Sequence, residues 1–261
     1  MAQRAAESSI SASRIWSVAR AHLALFGAID DAEMLLREKM LLGLTGGPTP
    51  DFNMCLADDS PNLEAVLAEA VERTRARSLP AIFMLSVQAS QKLAGRHDEL
   101  GLTPAGDAPL MVFTARPPAP DLGYDAREVS DESDLKDVAE LISKAFDLDR
   151  EWVGRTFASR ALVENSSGVG FYLVTDNGKP LSTVTMTGVG PVIGIWSMAT
   201  DPEFQRRGAG RTALLGAMAH RRSLGADAFY LIATPAGKPL YDSVGFRTLE
   251  TFPMYVLGGG H

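Results

Sequence analysis

One junction limits the folds open to this chain. The apolar run Val192–Thr200 breaks at Asp201-Pro202, and Gln205-Arg206-Arg207-Gly208-Ala209-Gly210 then opens a helix-forming stretch reaching about Leu224. A second apolar run, Phe229–Ala233, follows. Strands that come first as a meander and then alternate with helices predict a mixed α/β (α+β) sheet. Glycines at 208 and 210 let successive backbone N–H groups converge without Cβ obstruction. The helix that starts there also carries the positive end of its dipole, so the turn suits a pyrophosphate. Arg206, Arg207 and Arg211 add positive charge.

The elements around this junction are legible. Tyr124–Val129 predicts a short strand. Ser130 or Asp131 caps a helix carrying Leu135, Val138, Leu141, Ile142 and Ala145 at helical spacing. A second helix is expected over about Arg150–Val163, and a strand over Phe171–Thr175. Asp176-Asn177-Gly178-Lys179 is a hairpin turn with an Asn-Gly signal, returning as Leu181–Val189. A short helix ends near Val244-Gly245, and Phe252–Leu257 is the last strand. Leu214, Leu215 and Met218 share one side of the late helix and pack on the sheet. Trp196 and Phe229 are expected in the core.

Residues 115–123 contain three prolines in four positions, which neither a helix nor a central strand continues. The boundary is placed there, giving domains 1–120 and 121–261. The first half reads as a partial copy of the second. Ser78-Leu79-Pro80 before Ala81–Val87 parallels Ser223-Leu224-Gly225 before Ala226–Ala233. Gly101 precedes Pro109 by 8 residues, as Gly245 precedes Pro253. His97 falls four before Gly101, as Tyr241 falls four before Gly245. In the first half, Asp51–Ala57 leads through Asp58-Asp59-Ser60-Pro61 to a helix. Two carboxylates would repel a pyrophosphate and Pro61 lacks an N–H, so no cofactor is expected there.

Residues 205–210 match the Arg/Gln-x-x-Gly-x-Gly/Ala acyl-CoA signature, and Leu240-Tyr241-Asp242-Ser243-Val244-Gly245-Phe246 is similar to a late Leu-Tyr-x-x-x-Gly-Phe motif. In these two motifs, 31 residues apart from Gly210 to Tyr241, the chain resembles the GNAT superfamily of N-acetyltransferases over about residues 124–257. Met198-Ala199-Thr200-Asp201-Pro202 looks like that family's central strand and its exit. The resemblance implies a GNAT fold, as a tandem of a degenerate N-terminal copy without a cofactor site and a complete catalytic copy. It implies acetyl-CoA as cosubstrate, with no metal. The backbone of Met198, Ala199 and Thr200 would lie along the acetyl-pantetheine arm, with an N–H near Met198 polarising the thioester carbonyl. Gln205, Arg206, Arg207, Gly208, Ala209, Gly210 and Arg211 would hold the diphosphate. Tyr241 would protonate the leaving thiolate. Many members carry an asparagine seven positions before that tyrosine; Thr234 stands there and offers a hydroxyl to the coenzyme or to water.

Acetyl transfer to an amine needs a neutral amine, a stabilised oxyanion and a departing thiolate. A lysine-like amine is neutral in roughly one molecule in 2,500 at pH 7, so a base or a water chain removes a proton. Ile195-Trp196-Ser197-Met198 offers no acid. Glu164, Asp176 and Asp201 are the nearest in sequence, and the residues do not rank them. Trp152 and Phe157 either border the acceptor pocket or pack in the core. His220 reads as a surface or packing residue of the late helix.

The remaining composition narrows the alternatives. The 261 residues carry 25 Lys+Arg against 32 Asp+Glu, a net charge of −7, which argues against general binding to nucleic acid or an anionic membrane. The single cysteine, Cys55, excludes an internal disulfide framework and suits a reducing cytoplasm. The N-terminus lacks a secretory apolar region; its Ser, Ala and Arg content leaves a transit peptide open. Pro180–Thr200 is uncharged but broken by glycines and Pro191, so two strands are expected there rather than a membrane span. A Walker loop would need a Lys-Ser/Thr after differently spaced glycines. The acceptor is a small-molecule or protein amine, and a homodimer stays open. The alternative to an enzyme is a non-catalytic acyl-CoA-binding sensor or assembly module using the same turn.

Overall fold

The computed structural model describes residues 10–93, 95–118, 123–129, 131–166 and 168–258. The chain packs into two compact units. The first holds the chain up to Met111, Ala233–Pro235 and the residues from Thr248 onward; the second holds Val112–Ile232 and Ala236–Arg247. These units are interleaved, unlike a contiguous division at 120/121. Of the expected linker 115–123, residues 119–122 lie outside the described residues, as does Ser130.

In the first unit, Ser11 caps α1 (Ala12–Leu23), its hydroxyl accepting from the Arg14 N–H. Strands β1 (Glu33–Arg37), β2 (Met40–Leu44) and β3 (Asn53–Ala57) form an antiparallel meander. The expected strand start at Asp51 is instead a 3-10 turn, Pro50–Phe52, because Pro50 fixes the backbone in a helical φ. Helix α2 (Leu63–Ala76) crosses to β4 (Ala81–Leu85), which runs parallel to β3 with Met54 opposite Ile82. Helix α3 (Val87–Leu93) and β5 (Thr103–Phe113) follow. Leu42, Cys55, Leu67, Phe83 and Tyr255 belong to one buried cluster.

The loop after β3 is held from within. The buried Asp58 carboxylate accepts from Ser86 Oγ and from the Asp59 N–H, both at 2.8 Å, and from Ser13 Oγ at 3.3 Å. Lys92 pairs with Asp59 at 3.1 Å.

Burial holds the His22 imidazole at a pKa of about 4, against an ordinary 6.5. The unfolded chain therefore takes up this proton first as pH falls. The stability tied to the neutral ring is complete above about pH 6.5 and is lost progressively toward pH 4. Its ceiling is about 3 kcal/mol. Urea unfolding at pH 7 and pH 4.5 should show this loss in the wild type and a smaller one in His22→Gln. Equal losses in both would remove His22 from the account.

The second unit contains β6 (Ala126–Glu128) and α4 (Glu132–Phe146), the helix capped by Asp131 through the Asp134 N–H. The helix expected over 150–163 is two, α5 (Arg150–Arg155) and α6 (Arg160–Asn165). The break has a local cause. Thr156 Oγ1 bonds back to the Trp152 carbonyl at 2.6 Å, and Ser159 Oγ restarts the helix by accepting from the Ala161 N–H. Strands β7 (Val169–Asp176) and β8 (Lys179–Thr187) form the expected hairpin, with Asn177 at φ 47° and Gly178 at φ 80°. Then come β9 (Val192–Thr200), α7 (Ala209–Ser223), β10 (Ala228–Ile232) and α8 (Lys238–Val244). Within this unit the strand order is β10-β9-β8-β7-β6, and only β9 and β10 pair in parallel. Leu214, Leu215 and Met218 of α7 are fully buried.

The two units repeat one pattern: β2-β3-α2-β4 in the first, β8-β9-α7-β10 in the second. Both central strands end on an aspartate whose N–H turns back to the neighbouring segment, Asp58 to Lys39 O and Asp201 to Leu181 O, each at 2.9 Å. The last strand, β11 (Arg247–Leu257), starts five residues before the expected Phe252, because its first half, Arg247–Thr251, shows no apolar alternation. It pairs antiparallel with β4, Met254 opposite Met84, and lies between β4 and β5. Among the described residues, no helix is long and apolar enough to cross a membrane. The uncharged stretch Pro180–Thr200 is the β8–β9 pair.

Candidate active site

Strand β9 supplies the floor of the site. Its parallel ladder with β10 runs from Val192↔Ala228 to Gly194↔Tyr230. Ile195–Thr200 continue without β10 beside them, so the two strands splay and one edge of β9 is left open to a ligand. A bulge sharpens this. Thr185 faces Trp196 and Thr183 faces Ala199, so Ser197 and Met198 together oppose Val184 alone. Ser197 takes φ 43° to allow it.

The bulge reverses side-chain parity. Trp196 points to the face of Thr185 and Thr187, where its indole N–H donates to Thr187 Oγ1 at 2.8 Å. Met198 is turned to the opposite face, toward α7. Trp196 is therefore only partly buried, not a core residue as expected, whereas Phe229 is fully buried. A Cβ on Gly194 would lie 2.6–2.7 Å from Thr187 Oγ1, Trp196 Nε1 and the Tyr230 hydroxyl, so only glycine fits beneath these three polar groups. The bulge and this cluster escaped sequence reasoning. A lone serine inside an apolar run was the one local hint.

The head of α7 faces the open edge. Gly208 is the N-cap at φ 92°, ψ −12°, and it provides no side chain to bond the first N–H groups. Arg206, two residues earlier, also has positive φ, 64°. No acidic residue sits in the first helical turn. A 15-residue helix thus presents uncapped N–H groups and a positive dipole end. Close packing sets Gly210: a Cβ there would lie 2.8 Å from Thr200 Oγ1 and 3.2 Å from Met198 Cε. Thr200 Oγ1 is itself tied to Ser182 Oγ at 2.9 Å, and Ala209 is buried.

The charged groups divide. Gln205, Arg206 and Arg207 are exposed at the turn, with the Arg207 guanidinium over the Phe204 ring at 5.3 Å. Lys179 Nζ lies 4.2 Å from the centre of the same ring. Arg211 instead donates to Ser243 Oγ at 3.1 Å, tying the head of α7 to α8.

Helix α8 carries Tyr241. The phenol is buried, stacks edge-on against Phe246 at 5.7 Å, and donates to Met198 Sδ at 3.5 Å. Burial pushes its pKa up to about 12, so it stays protonated, a hydrogen-bond donor, throughout the physiological range. Gly208, Gly210, Met198, Thr200 and Tyr241 all lie in the second unit. Thr234 falls in the exposed segment after β10 that groups with the first unit.

None of the three acids considered as a base stands ready. Asp201 is buried, caps the turn at Glu203 N and lies 3.6 Å from Lys144. Glu164 pairs with Arg160 at 2.6 Å, and Asp176 accepts from Asn177 in the hairpin turn. Trp152 and Phe157 are half-buried, and Arg155 lies 4.6 Å over the Trp152 ring. His220 Nδ1 meets the Tyr172 hydroxyl at 2.8 Å, and the His97 ring stacks on Tyr255 at 5.0 Å. Among the described residues, no group of His, Cys, Asp and Glu could hold a metal ion.

A splayed parallel strand pair with a glycine-opened helix between them and a buried tyrosine beside the splay defines an acyl-CoA N-acyltransferase fold. Residues 135–246 match the model of the acetyltransferase (GNAT) family. Similar solved structures extend the likeness of fold over nearly the whole chain. A GCN5-related N-acetyltransferase from Kribbella flavida is 18% identical, with a TM-score of 0.67 and 96% of each chain covered. One from Sphaerobacter thermophilus is 16% identical, with a TM-score of 0.58, covering 93% of this chain and 91% of its own. A tandem GNAT protein from the clavulanic acid biosynthesis pathway is 14% identical, with a TM-score of 0.57, covering 85% and 79%. No curated protein matches the chain significantly.

Proposed function

We propose that the protein is an N-acetyltransferase that moves an acetyl group from acetyl-CoA to a primary amine by direct attack of the amine on the thioester. The observation that carries this reading is the Tyr241 hydroxyl. It is buried, stays protonated, and is aimed at a sulfur beside the open edge of β9. A binding module needs the anion cradle but has no use for such a donor.

Each group then has a task. The N–H groups at the head of α7 hold the diphosphate, and Arg206 and Arg207 raise the local positive potential. A β9 N–H near Met198, on the edge that β10 leaves open, receives the developing oxyanion. Tyr241 gives its proton to the departing thiolate and regains one from the water that takes up the amine proton. With Glu164, Asp176 and Asp201 all engaged elsewhere, the amine proton leaves through water. The fully buried Cys55, whose thiol is pushed far above its ordinary pKa, makes no covalent acyl-enzyme, which supports direct attack.

A panel of amines assayed with acetyl-CoA, reading free thiol, tests the proposal. At least one amine should release thiol in proportion to amide formed, with initial-rate lines that intersect. Tight CoA binding without thiol release across small amines and peptides would favour the sensor reading instead.

A further inference from the structure

Met198 does more than contribute backbone to the strand. Its side chain leaves β9 on the α7 side because of the Ser197–Met198 bulge. Its Sδ accepts the Tyr241 hydroxyl at 3.5 Å, while its Cε lies 3.2 Å from the point where a Gly210 Cβ would stand. One thioether thus reaches from the first turn of α7 to the phenol of α8, on the line between the proposed anion site and Tyr241.

We infer that the Met198 side chain is a displaceable plug on that line, whose sulfur holds Tyr241 aimed until a ligand's own sulfur takes its place. The inference rests on the proposed acyl-CoA reading. Methionine suits the task. Its unbranched, soft side chain has three rotatable bonds and repacks at small cost, and a thioether is a weak hydrogen-bond acceptor. The Tyr241 hydroxyl therefore exchanges one weak sulfur partner for another and is never left buried without an acceptor. Partial exposure of Met198 gives the side chain room to swing out.

The plug competes with the pantetheine arm but not with the diphosphate end. Calorimetry on the full chain should therefore separate two probes, CoA and adenosine 3′-phosphate 5′-diphosphate, which lacks the arm. Met198→Ala should bind CoA roughly three- to tenfold more tightly than wild type and leave the armless nucleotide within about twofold. Met198→Leu keeps the volume but is branched and stiffer, so it should bind CoA no more tightly than wild type and leave the armless nucleotide within about twofold. Unchanged or weaker CoA binding by Met198→Ala, or Met198→Leu behaving as Met198→Ala does, overturns the plug while leaving the acyl-CoA reading intact. Failure of wild type to bind either probe overturns both.

Discussion

Gly208→Glu is expected to abolish CoA binding, a loss of more than about a hundredfold, while the protein stays folded. Three effects combine. Gly208 sits at φ 92°, a left-handed conformation that costs an L-residue about 1–2 kcal/mol. The new side chain enters the space above the first N–H groups of α7, and its carboxylate caps them as a built-in anion. It also cancels the positive potential of Arg206 and Arg207. Gly208→Ala separates these causes, since it adds the backbone strain without the charge. It should lose a smaller part of the affinity, with a melting temperature close to that of the glutamate variant. Equal CoA affinity in wild type and Gly208→Glu would remove the anion site from this turn.

Tyr241→Phe is expected to lower turnover about ten- to hundredfold with little change in KM for acetyl-CoA. The loss is bounded because a thiol of pKa about 8.5 is already a fair leaving group. The ring keeps its contact with Phe246, and only the bond to the Met198 sulfur disappears, so stability should change little. The pH profile carries the sharper signature. A phenol held at about pKa 12 by burial is protonated below that value and is lost as a donor only above it. Wild-type kcat should therefore rise with pH as the amine deprotonates, with no decline owed to Tyr241 before about pH 11. A wild-type decline near pH 9–10 that the phenylalanine variant lacks would contradict this assignment.

Much of this site could be read from the residues because its parts are local. Gly208 and Gly210 mark the turn through their own backbone needs, Asn177-Gly178 fixes the hairpin, and Asp131 caps its helix within three residues. The features that were not legible depend on partners distant in the chain. The bulge at Ser197 exists only in register with Val184 of β8, and a serine inside an apolar run does not by itself distinguish it from a straight strand. Parity then turns Met198 toward Tyr241, 43 positions away. The early start of β11 depends on partners distant in the chain, among them the Trp16 indole on Glu250. The same tertiary pairing moves the last strand into the first unit, where the proline-rich stretch 115–123 suggested two contiguous halves.

In a crystal structure of the wild-type chain with CoA, the diphosphate should lie within hydrogen-bond distance of the N–H groups at Gly208–Arg211, the arm along Met198–Thr200, and the thiol beside the Tyr241 hydroxyl. A diphosphate bound anywhere else on the chain would contradict this placement.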